Sequence, residues 1–336
     1  MRRSRWVAVG LTAATVAAVV GIGPAVAQPS SQGAQLLAAA RRAASRASYD
    51  GIVVVSRRQD GALHQSRALA QVAEGTVQMG VGDQHVVSFG DTRWVGSPGA
   101  WNLVLGPGTP SARPPALDAN WTLRTAPGPL VAGRPTTVVS AVDPTTGDTR
   151  ARFFVDVATD TLLRQDVLDA NGTLLRQTRF DVLVPLPAVS PPTAPSGAQS
   201  AEPTALASVP SGYKAPKDLG RGYRLLGQYR QPDGTLQLYY SDGLFTLSLF
   251  EQHGTIDWSS LPSGTAGKWQ GVDLRSYPAS TTDAVVWGSH GFVITCVSDA
   301  PLDQALLAAH DVIGGGGSSG VLGQIAHFVL GPFGWN

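Results

Sequence analysis

The 336-residue chain carries 25 basic and 24 acidic side chains, which gives a formal net charge of +1. A nearly neutral chain with 15% charged residues is not typical of a protein that binds nucleic acid by neutralising phosphates. Its 39 Gly and 24 Pro favour turn-rich β structure over a helical bundle, and its length is sufficient for two domains.

The N-terminus has the three-part pattern of a secretory signal peptide. Basic residues within 2–5 precede an apolar run over residues 6–22, and the small residues at 25–27 follow it. We therefore predict a signal peptide over residues 1–27 and an exported protein of the periplasm or cell-wall space. A retained membrane anchor is the alternative interpretation, because the apolar run is at the short limit for spanning a bilayer.

One helix and one strand are predicted directly after the signal peptide. Apolar side chains recur at helical spacing over residues 33–49, with arginines between them, which predicts an amphipathic helix. Asp50-Gly51 then opens the β-branched run 52–55, which predicts a strand that leads into a meander.

A Gly/Pro-rich segment over residues 90–133 contains Trp94, Trp101 and Trp121. We predict loops here, from which these aromatic side chains line a concave apolar surface. Tryptophans that simply pack the core are the alternative.

The clearest strand pattern lies between residues 134 and 187, where turn sequences separate runs of alternating apolar and polar residues. The runs cover residues 136–142, 150–157, 162–168 and 174–184 and predict four antiparallel strands. The alternation places Phe153, Val155 and Val157 on one face, and Leu174, Phe180 and Val182 on one face of the last strand. Because the single predicted helix is small, we expect it to leave part of this apolar face uncovered.

Residues 188–211 are rich in Pro, Ala and Ser and show no periodicity, which is the composition of an extended linker. The linker separates a predicted first domain, residues 33–187, from a smaller second domain, residues 212–315.

The second domain is predicted to be a small antiparallel sheet with one helix. Strands are predicted over residues 223–229, 236–240, 244–250, 284–287 and 292–297. Asp299 is the expected cap of a helix that runs to about residue 313, with Pro301 in its first turn. The tail, residues 316–336, is too short an apolar segment to span a membrane, and we interpret it as a docking segment or a surface patch.

The sequence contains no recognisable catalytic motif. The six histidines are scattered without metal-binding spacing, so no metal and no cofactor are expected. The single cysteine, Cys296, alternates with other residues of an apolar strand and is interpreted as a core residue rather than a reactive thiol. A catalytic site assembled from distant turns is the alternative to a chain that is not an enzyme.

Several segments resemble the MucB/RseB family of exported regulators of envelope-stress sigma factors. The segment Tyr239-Tyr240-Ser241-Asp242-Gly243-Leu244-Phe245-Thr246-Leu247-Ser248-Leu249 resembles the second domain of that family. The segments that resemble its first domain are Ala47-Ser48-Tyr49-Asp50-Gly51, Gly133-Arg134-Pro135-Thr136, Arg152-Phe153-Phe154-Val155-Asp156, Leu163-Arg164-Gln165-Asp166-Val167-Leu168-Asp169 and Gly172-Thr173-Leu174. The resemblance covers about residues 34–315 in matching order.

The resemblance implies a first domain like the LolA-type lipoprotein carriers, which is an unclosed β-barrel that holds a helix, followed by a smaller domain behind a linker. It also implies a regulatory role without enzymatic activity. Such a protein binds the extracytoplasmic part of a membrane anti-sigma factor, shields it from a protease and releases it when a lipid-like signal is sensed.

The sequence therefore predicts an α+β, mainly antiparallel β protein, with a half-open barrel and a smaller sheet-and-helix domain. The candidate residues for a lipid cavity are Trp94, Trp101, Trp121, Phe153, Val155 and Phe180. The candidates for contact with a membrane anti-sigma factor are Tyr239, Tyr240, Phe245 and Trp287. A lipid or lipoprotein carrier without a sigma-factor role is the alternative function, and no nucleic-acid partner is expected.

Overall fold

The structure is a computed structural model. It describes residues 31–59, 61–81, 84–89, 92–97, 100–105, 114–187, 204–231, 234–278, 282–309 and 312, and for residues 81–105 it describes the backbone alone. The predicted signal peptide and the 316–336 tail lie outside the described residues, as does the linker up to residue 203. The chain divides into two compact units, one with the strands before residue 188 and one with the strands after residue 203.

In the described ranges, the first unit is built from one antiparallel sheet and two helices. Its elements are α1 Gln32–Ala44, β1 Ser48–Gln59, β2 Ala62–Ala73, β3 Thr76–Val81, β4 Gln84–Phe89, β5 Thr92–Ser97, β6 Ala100–Leu105, α2 Leu117–Asn120, β7 Thr122–Pro127, β8 Thr136–Val142, β9 Thr149–Asp156, β10 Leu162–Leu168 and β11 Leu174–Pro185. The 11 strands lie in the order β6-β5-β4-β3-β2-β1-β11-β10-β9-β8-β7.

This order makes an open sheet with the first and last strands at its centre. Strands β1 to β6 proceed to one edge, and strands β7 to β11 return from the other edge until β11 pairs with β1. Among the described strands, the edge strands β6 and β7 do not pair with each other. The prediction of mainly antiparallel, half-open β structure with few helices is therefore confirmed.

Helix α1 begins close to its predicted start but ends before its predicted end. The Ser31 hydroxyl accepts a hydrogen bond from the Ala34 backbone N–H at 3.3 Å, which caps the N-terminus. Leu37 and Ala40 lie on the buried side of the helix. The helix ends at Ala44, earlier than the predicted residue 49, because the chain becomes β1 at Ser48.

An ion pair joins two of the segments that resemble the MucB/RseB family. Both the Nε and Nη2 atoms of Arg134 donate to the Asp156 Oδ2 atom, at 2.9 and 2.6 Å. Burial alone would raise the pKa of Asp156, but hydrogen bonds from Thr159 and Arg134 hold that pKa below its usual value. The pair fixes the start of β8 against the end of β9.

The second unit is a second antiparallel sheet with short helical segments. Its elements are β12 Thr204–Ala205, a 3₁₀ helix Gly220–Gly222, β13 Arg224–Arg230, β14 Leu236–Ser241, β15 Thr246–His253, β16 Thr265–Trp269, β17 Val272–Pro278, β18 Asp283–Ser289, β19 Phe292–Ser298 and α3 Leu302–Ala308. The eight strands lie in the order β12-β13-β14-β15-β19-β18-β17-β16.

The second unit differs from the sequence prediction in three places. The hairpin of β16 and β17 was not predicted, because its turn residues Gln270 and Gly271 lack the usual Asn-Gly or Asp-Gly signal, although both adopt positive φ. Strand β12 lies inside the predicted linker. Helix α3 ends at Ala308 rather than near residue 313, and its N-cap is Pro301, while the Asp299 Oδ1 atom instead accepts from the Thr246 N–H at 2.6 Å.

The turn between β14 and β15 has the clearest local cause. The Asp242 Oδ1 atom accepts hydrogen bonds from the backbone N–H groups of Leu244 and Phe245, at 2.8 and 2.7 Å. Gly243, which lies between Asp242 and Leu244, has a φ of 95°, a conformation that strongly favours glycine. These residues belong to the segment that resembles the MucB/RseB second domain. The matching residues Asp242 to Phe245 therefore form a turn.

Candidate functional site

Three predicted cavity residues share one face of the first sheet. Phe153 pairs with Gln165, which in turn pairs with Thr178, and Phe180 follows two residues along β11. Val155 lies two residues beyond Phe153 on β9. Since residues directly opposite each other on neighbouring strands point to the same side, Phe153, Val155 and Phe180 lie on one face, which we call the inner face.

Helix α1 packs on this inner face near β7 and β8. A Cβ atom on Gly33 would lie 2.8 Å from the Leu123 Cβ atom and 3.1 Å from a Val139 methyl carbon, so the helix approaches the sheet closely there. Val139 pairs with Phe153 and therefore belongs to the same face. The predicted cavity residues Phe153, Val155 and Phe180 are all buried.

The inner face also holds two buried polar atoms. The ring of Tyr49 meets that of Phe180 edge to face, with centroids 5.5 Å apart. Within the described part of the chain, the Tyr49 hydroxyl and the Gln165 Oε1 atom have no hydrogen-bond partner. Burial raises the pKa of Tyr49, so this hydroxyl stays protonated and can donate. A ligand that enters the inner face would meet apolar side chains and these two polar atoms.

The three predicted tryptophans of segment 90–133 lie in or beside strands. Trp94 belongs to β5 and Trp101 to β6, which corrects the prediction that they lie in loops, and their side chains are outside the described atoms. Trp121 immediately precedes β7 and is buried. The error arose because Gly and Pro in the surrounding sequence masked the short alternating runs.

A β-bulge in β11 corrects the predicted position of Val182. Val53 pairs with Phe180, whereas the preceding residue Ile52 pairs with Val182, so Asp181 is the extra residue. Phe180 therefore points to the inner face and Val182 to the opposite, outer face, where its exposed fraction is 44%. Val157, predicted to lie on the apolar face, follows the end of β9 and is exposed.

The bulge creates an exposed apolar row on the outer face. Leu69 pairs with Ile52, which pairs with Val182, and the exposed fraction of Leu69 is 72%. Asp181 is held beside this row by Arg67 at 3.1 Å and Arg179 at 2.8 Å. Exposed apolar patches are typical of surfaces that contact another molecule.

The predicted partner-contact residues of the second unit lie mostly in its core. Tyr240, Phe245 and Trp287 have exposed fractions of 1% or less, and the Tyr240 hydroxyl donates to the Pro216 carbonyl at 3.0 Å. Only Tyr239 is partly exposed, because it points to the opposite side of β14 from Tyr240. In this structure Tyr240, Phe245 and Trp287 therefore pack the sheet and present no surface to a partner.

The sequence analysis missed a buried acid in the second unit. Glu251 lies in β15 between Leu236 of β14 and Ile294 of β19, and its exposed fraction is 4%. Burial raises the pKa of Glu251 to about 7. The sequence does contain a signal for this burial. Glu251 follows Leu247 and Leu249 at alternate positions of the same strand, and both leucines are buried.

An aromatic cluster of Tyr213, His253 and Phe292 lies next to Glu251. The ring centroids are 5.0 Å apart for Tyr213 and His253, 5.0 Å for Tyr213 and Phe292, and 4.2 Å for His253 and Phe292. His253 pairs with Phe292 across β15 and β19 and lies two residues beyond Glu251 on the same face. The charge of Glu251 contributes to a raised pKa of Tyr213, after the larger effect of burial.

The described residues contain no metal-binding cluster. No group of three or more His, Cys, Asp or Glu side chains that could hold a metal ion occurs among them. Cys296 is buried, and burial raises the pKa of its thiol to about 12. Of the helices in the described ranges, none is long and apolar enough to cross a membrane.

In the comparisons with known proteins, the chain is similar only to solved structures. No protein-family model and no curated protein matches the chain. The chain resembles the complex structure of Pseudomonas aeruginosa MucA/MucB, with 20% identity and a TM-score of 0.48, over 83% of this chain and 97% of that one. It also resembles the crystal structure of MucB, with 20% identity and a TM-score of 0.46, over 84% of this chain and 98% of that one.

A LolA superfamily protein from Nitrosomonas europaea is a more distant neighbour, with 8% identity and a TM-score of 0.20, over 83% of this chain and 98% of that one. All three similarities have TM-scores below 0.5 and identities below 25%.

Proposed function

We propose that the chain is an extracytoplasmic regulatory protein that binds the outer part of a membrane anti-sigma factor and controls its proteolysis in response to a lipid-like envelope signal. It acts at the outer face of the cytoplasmic membrane. The signal-peptide pattern over residues 1–27 supports this location.

The observation that carries the proposal is the order of the sequence segments that resemble the MucB/RseB family. They occur in matching order through both units of the chain. Three of them have clear structural roles: the Arg134–Asp156 ion pair joins two of the segments, and the Asp242–Gly243 turn belongs to a third. One solved neighbour is the crystal structure of MucB in complex with MucA(peri), and an analogous protein–protein contact is what we propose for this chain.

The inner face of the first unit is the proposed place for the lipid-like signal. Its apolar side chains include Phe153, Val155 and Phe180, and the unpartnered Tyr49 hydroxyl and Gln165 Oε1 atom would contact the polar end of an amphiphile. These residues are packed closely in the structure. Entry of a lipid would therefore require helix α1 or a neighbouring strand to move, and such a movement would give a ligand-dependent change in conformation.

The same inner face favours a second candidate function, a lipid or lipoprotein carrier without a sigma-factor role. An apolar face with polar atoms that have no hydrogen-bond partner among the described residues is suited to hold an amphiphile, whatever the role of the second unit.

A pull-down from membranes tests the regulatory proposal. The mature full-length chain is immobilised and exposed to detergent-solubilised membranes of the source cells, with an unrelated exported protein on a second matrix as control. We expect a single-pass anti-sigma factor to be retained by the chain alone. Retention of no anti-sigma factor, under conditions where a known control pair is recovered, would reject the proposal.

Native mass spectrometry separates the carrier from the regulator. The regulator is expected to purify without a stoichiometric lipid and to take one up when a lipid is added. A lipid that co-purifies at one molecule per chain, together with a negative pull-down, would favour the carrier.

A further inference from the structure

Glu251 is a buried acid whose partners across the sheet are apolar. In the part of the chain that the structure describes, its carboxylate makes no hydrogen bond and no ion pair, and its neighbours across the sheet, Leu236 and Ile294, are apolar. Burial of an ionised carboxylate is unfavourable unless a cation or hydrogen-bond donors compensate for the lost water. Glu251 is therefore a strong local site for a positive charge.

The surroundings of Glu251 suit an organic cation better than a metal ion. A metal ion would need several oxygen, nitrogen or sulfur ligands, and no group of His, Cys, Asp and Glu of that size occurs among the described residues. The neighbouring rings of Tyr213, His253 and Phe292 instead offer aromatic faces, which attract guanidinium and ammonium groups. His253 is exposed, and Tyr213 and Phe292 are partly exposed, so the cluster can be reached from solvent.

Among the described cations, Arg230 acts on the cluster, because its charge opposes the rise in the pKa of Tyr213. Arg230 lies opposite Leu236 on β13, and its Nη1 atom donates to the Gly234 carbonyl at 3.3 Å. Lys214 and Lys217 lie on either side of Pro216, whose carbonyl accepts a hydrogen bond from the Tyr240 hydroxyl. Within the described ranges, none of these three side chains hydrogen-bonds or ion-pairs with Glu251.

We propose that Glu251 and the Tyr213–His253–Phe292 cluster form the receptor for one arginine side chain of a partner protein segment. The proposal rests on the proposed function, which supplies a protein partner for this unit. The guanidinium would pair with the carboxylate in a charge-assisted, bidentate contact and stack on the aromatic rings. An arginine fits better than a lysine because its planar group can make both contacts at once.

The site can be tested without the partner, by using Nα-acetyl-arginine amide as the probe. The mature full-length chain is labelled with ¹³C at the Glu side-chain carboxyl carbon, and the Glu251 signal is assigned by comparison with a Glu251→Gln variant. The neutral isostere Nα-acetyl-citrulline amide is the control ligand. We expect the arginine probe alone to shift the Glu251 signal in a saturable manner and to lower the pKa of Glu251.

The affinity for the arginine probe is expected to depend on pH. Only the ionised carboxylate binds, and with a pKa of about 7 the ionised fraction rises about tenfold between pH 6 and pH 8. The affinity should therefore rise about tenfold over this range. A His253→Gln variant removes the imidazole of the cluster and leaves Glu251 in place. This variant should keep the pH dependence if Glu251 causes it.

Two further variants decide the result. Glu251→Gln should abolish both the pH dependence and the preference for arginine over citrulline, and it should remain folded because it removes a buried charge. Asp273→Asn changes an exposed acid elsewhere in the same sheet and should bind the probe like the wild-type chain. Equal affinity for the two probes, or unchanged binding by Glu251→Gln, would overturn the proposal.

The experiment is independent of the proposed function. Probe binding at Glu251 together with a negative membrane pull-down would reject the anti-sigma partner and keep the arginine receptor. A positive pull-down without probe binding would reject the receptor and keep the partner.

Discussion

Phe180 and Val182 point to opposite faces of strand β11, although a single residue separates them. In a regular strand, residues two apart share a face. Here Asp181 is an extra residue opposite β1, so Val53 pairs with Phe180 and the adjacent Ile52 pairs with Val182. The bulge keeps Phe180 against Tyr49 on the inner face and turns Val182 toward solvent.

The first prediction concerns the two residues that flank this bulge. Phe180→Ala should lower the free energy of unfolding by about 3 kcal/mol, because it leaves a cavity in a buried face. Val182→Ala should lower it by less than about 1 kcal/mol, because Val182 is largely solvated. Urea denaturation of both variants checks the prediction. Equal losses would mean that Phe180 and Val182 share a face.

A second prediction follows from the close approach of β11 to Gly51. A Cβ atom on Gly51 would lie 2.5 Å from the Val182 carbonyl oxygen and 2.9 Å from the Phe180 ring. Gly51→Ala should therefore destabilise the first unit by about 2 kcal/mol, since the backbone at the bulge must shift. Gly267→Ala in β16 is the matched control, because its Cβ atom would make an ordinary 3.4 Å contact. A thermal unfolding midpoint for Gly51→Ala as high as that of the control would contradict the prediction.

The third prediction is a pH-dependent stability caused by Glu251. Its pKa in the folded state, about 7, is higher than the ordinary value of 4.5, so protonation favours folding. This contribution is fully present below about pH 4.5 and is lost as the pH rises through 7. Glu251→Gln should therefore gain stability relative to wild type between pH 5 and pH 8, by up to about 3 kcal/mol. Denaturant titrations at both pH values measure this gain, and a constant difference would exclude a raised pKa.

A fourth prediction concerns the turn between β14 and β15. Asp242→Ala removes the acceptor for the Leu244 and Phe245 N–H groups and should cost about 1–2 kcal/mol of stability. Asp257→Ala is the matched control, because Asp257 accepts from the Ser259 N–H in an exposed turn, and a smaller loss is expected there. If the two variants unfold at the same denaturant concentration, the Asp242 turn is no more important than a surface turn.

The sequence predicted regular strands well and failed where the regular pattern breaks. The run over residues 136–142 matches β8, because it is rich in β-branched residues and turn sequences flank it. The alternation of Phe180, Asp181 and Val182 is equally regular, so nothing in it revealed a bulge. A bulge depends on pairing with β1, which lies more than a hundred residues away in the chain.

The candidate site was less predictable than the fold, because burial depends on distant parts of the chain. Tyr240, Phe245 and Trp287 were chosen as large aromatic residues, which are common at interfaces, yet the same property makes them core residues. Glu251 appeared to be an ordinary charged residue at the end of a strand. Its pairing with β14 and β19 and its position beside Tyr213 depend on contacts that the sequence does not show.

The most direct test of the account is a calorimetric titration of the mature chain with the purified extracytoplasmic segment of the anti-sigma factor encoded in the same genome. We predict saturable binding with one segment per chain and a dissociation constant of about 1 µM or below, which corresponds to a binding free energy of about −8 kcal/mol. Absence of any binding heat at about 100 µM segment, at two temperatures and with both proteins folded, would contradict the central claim.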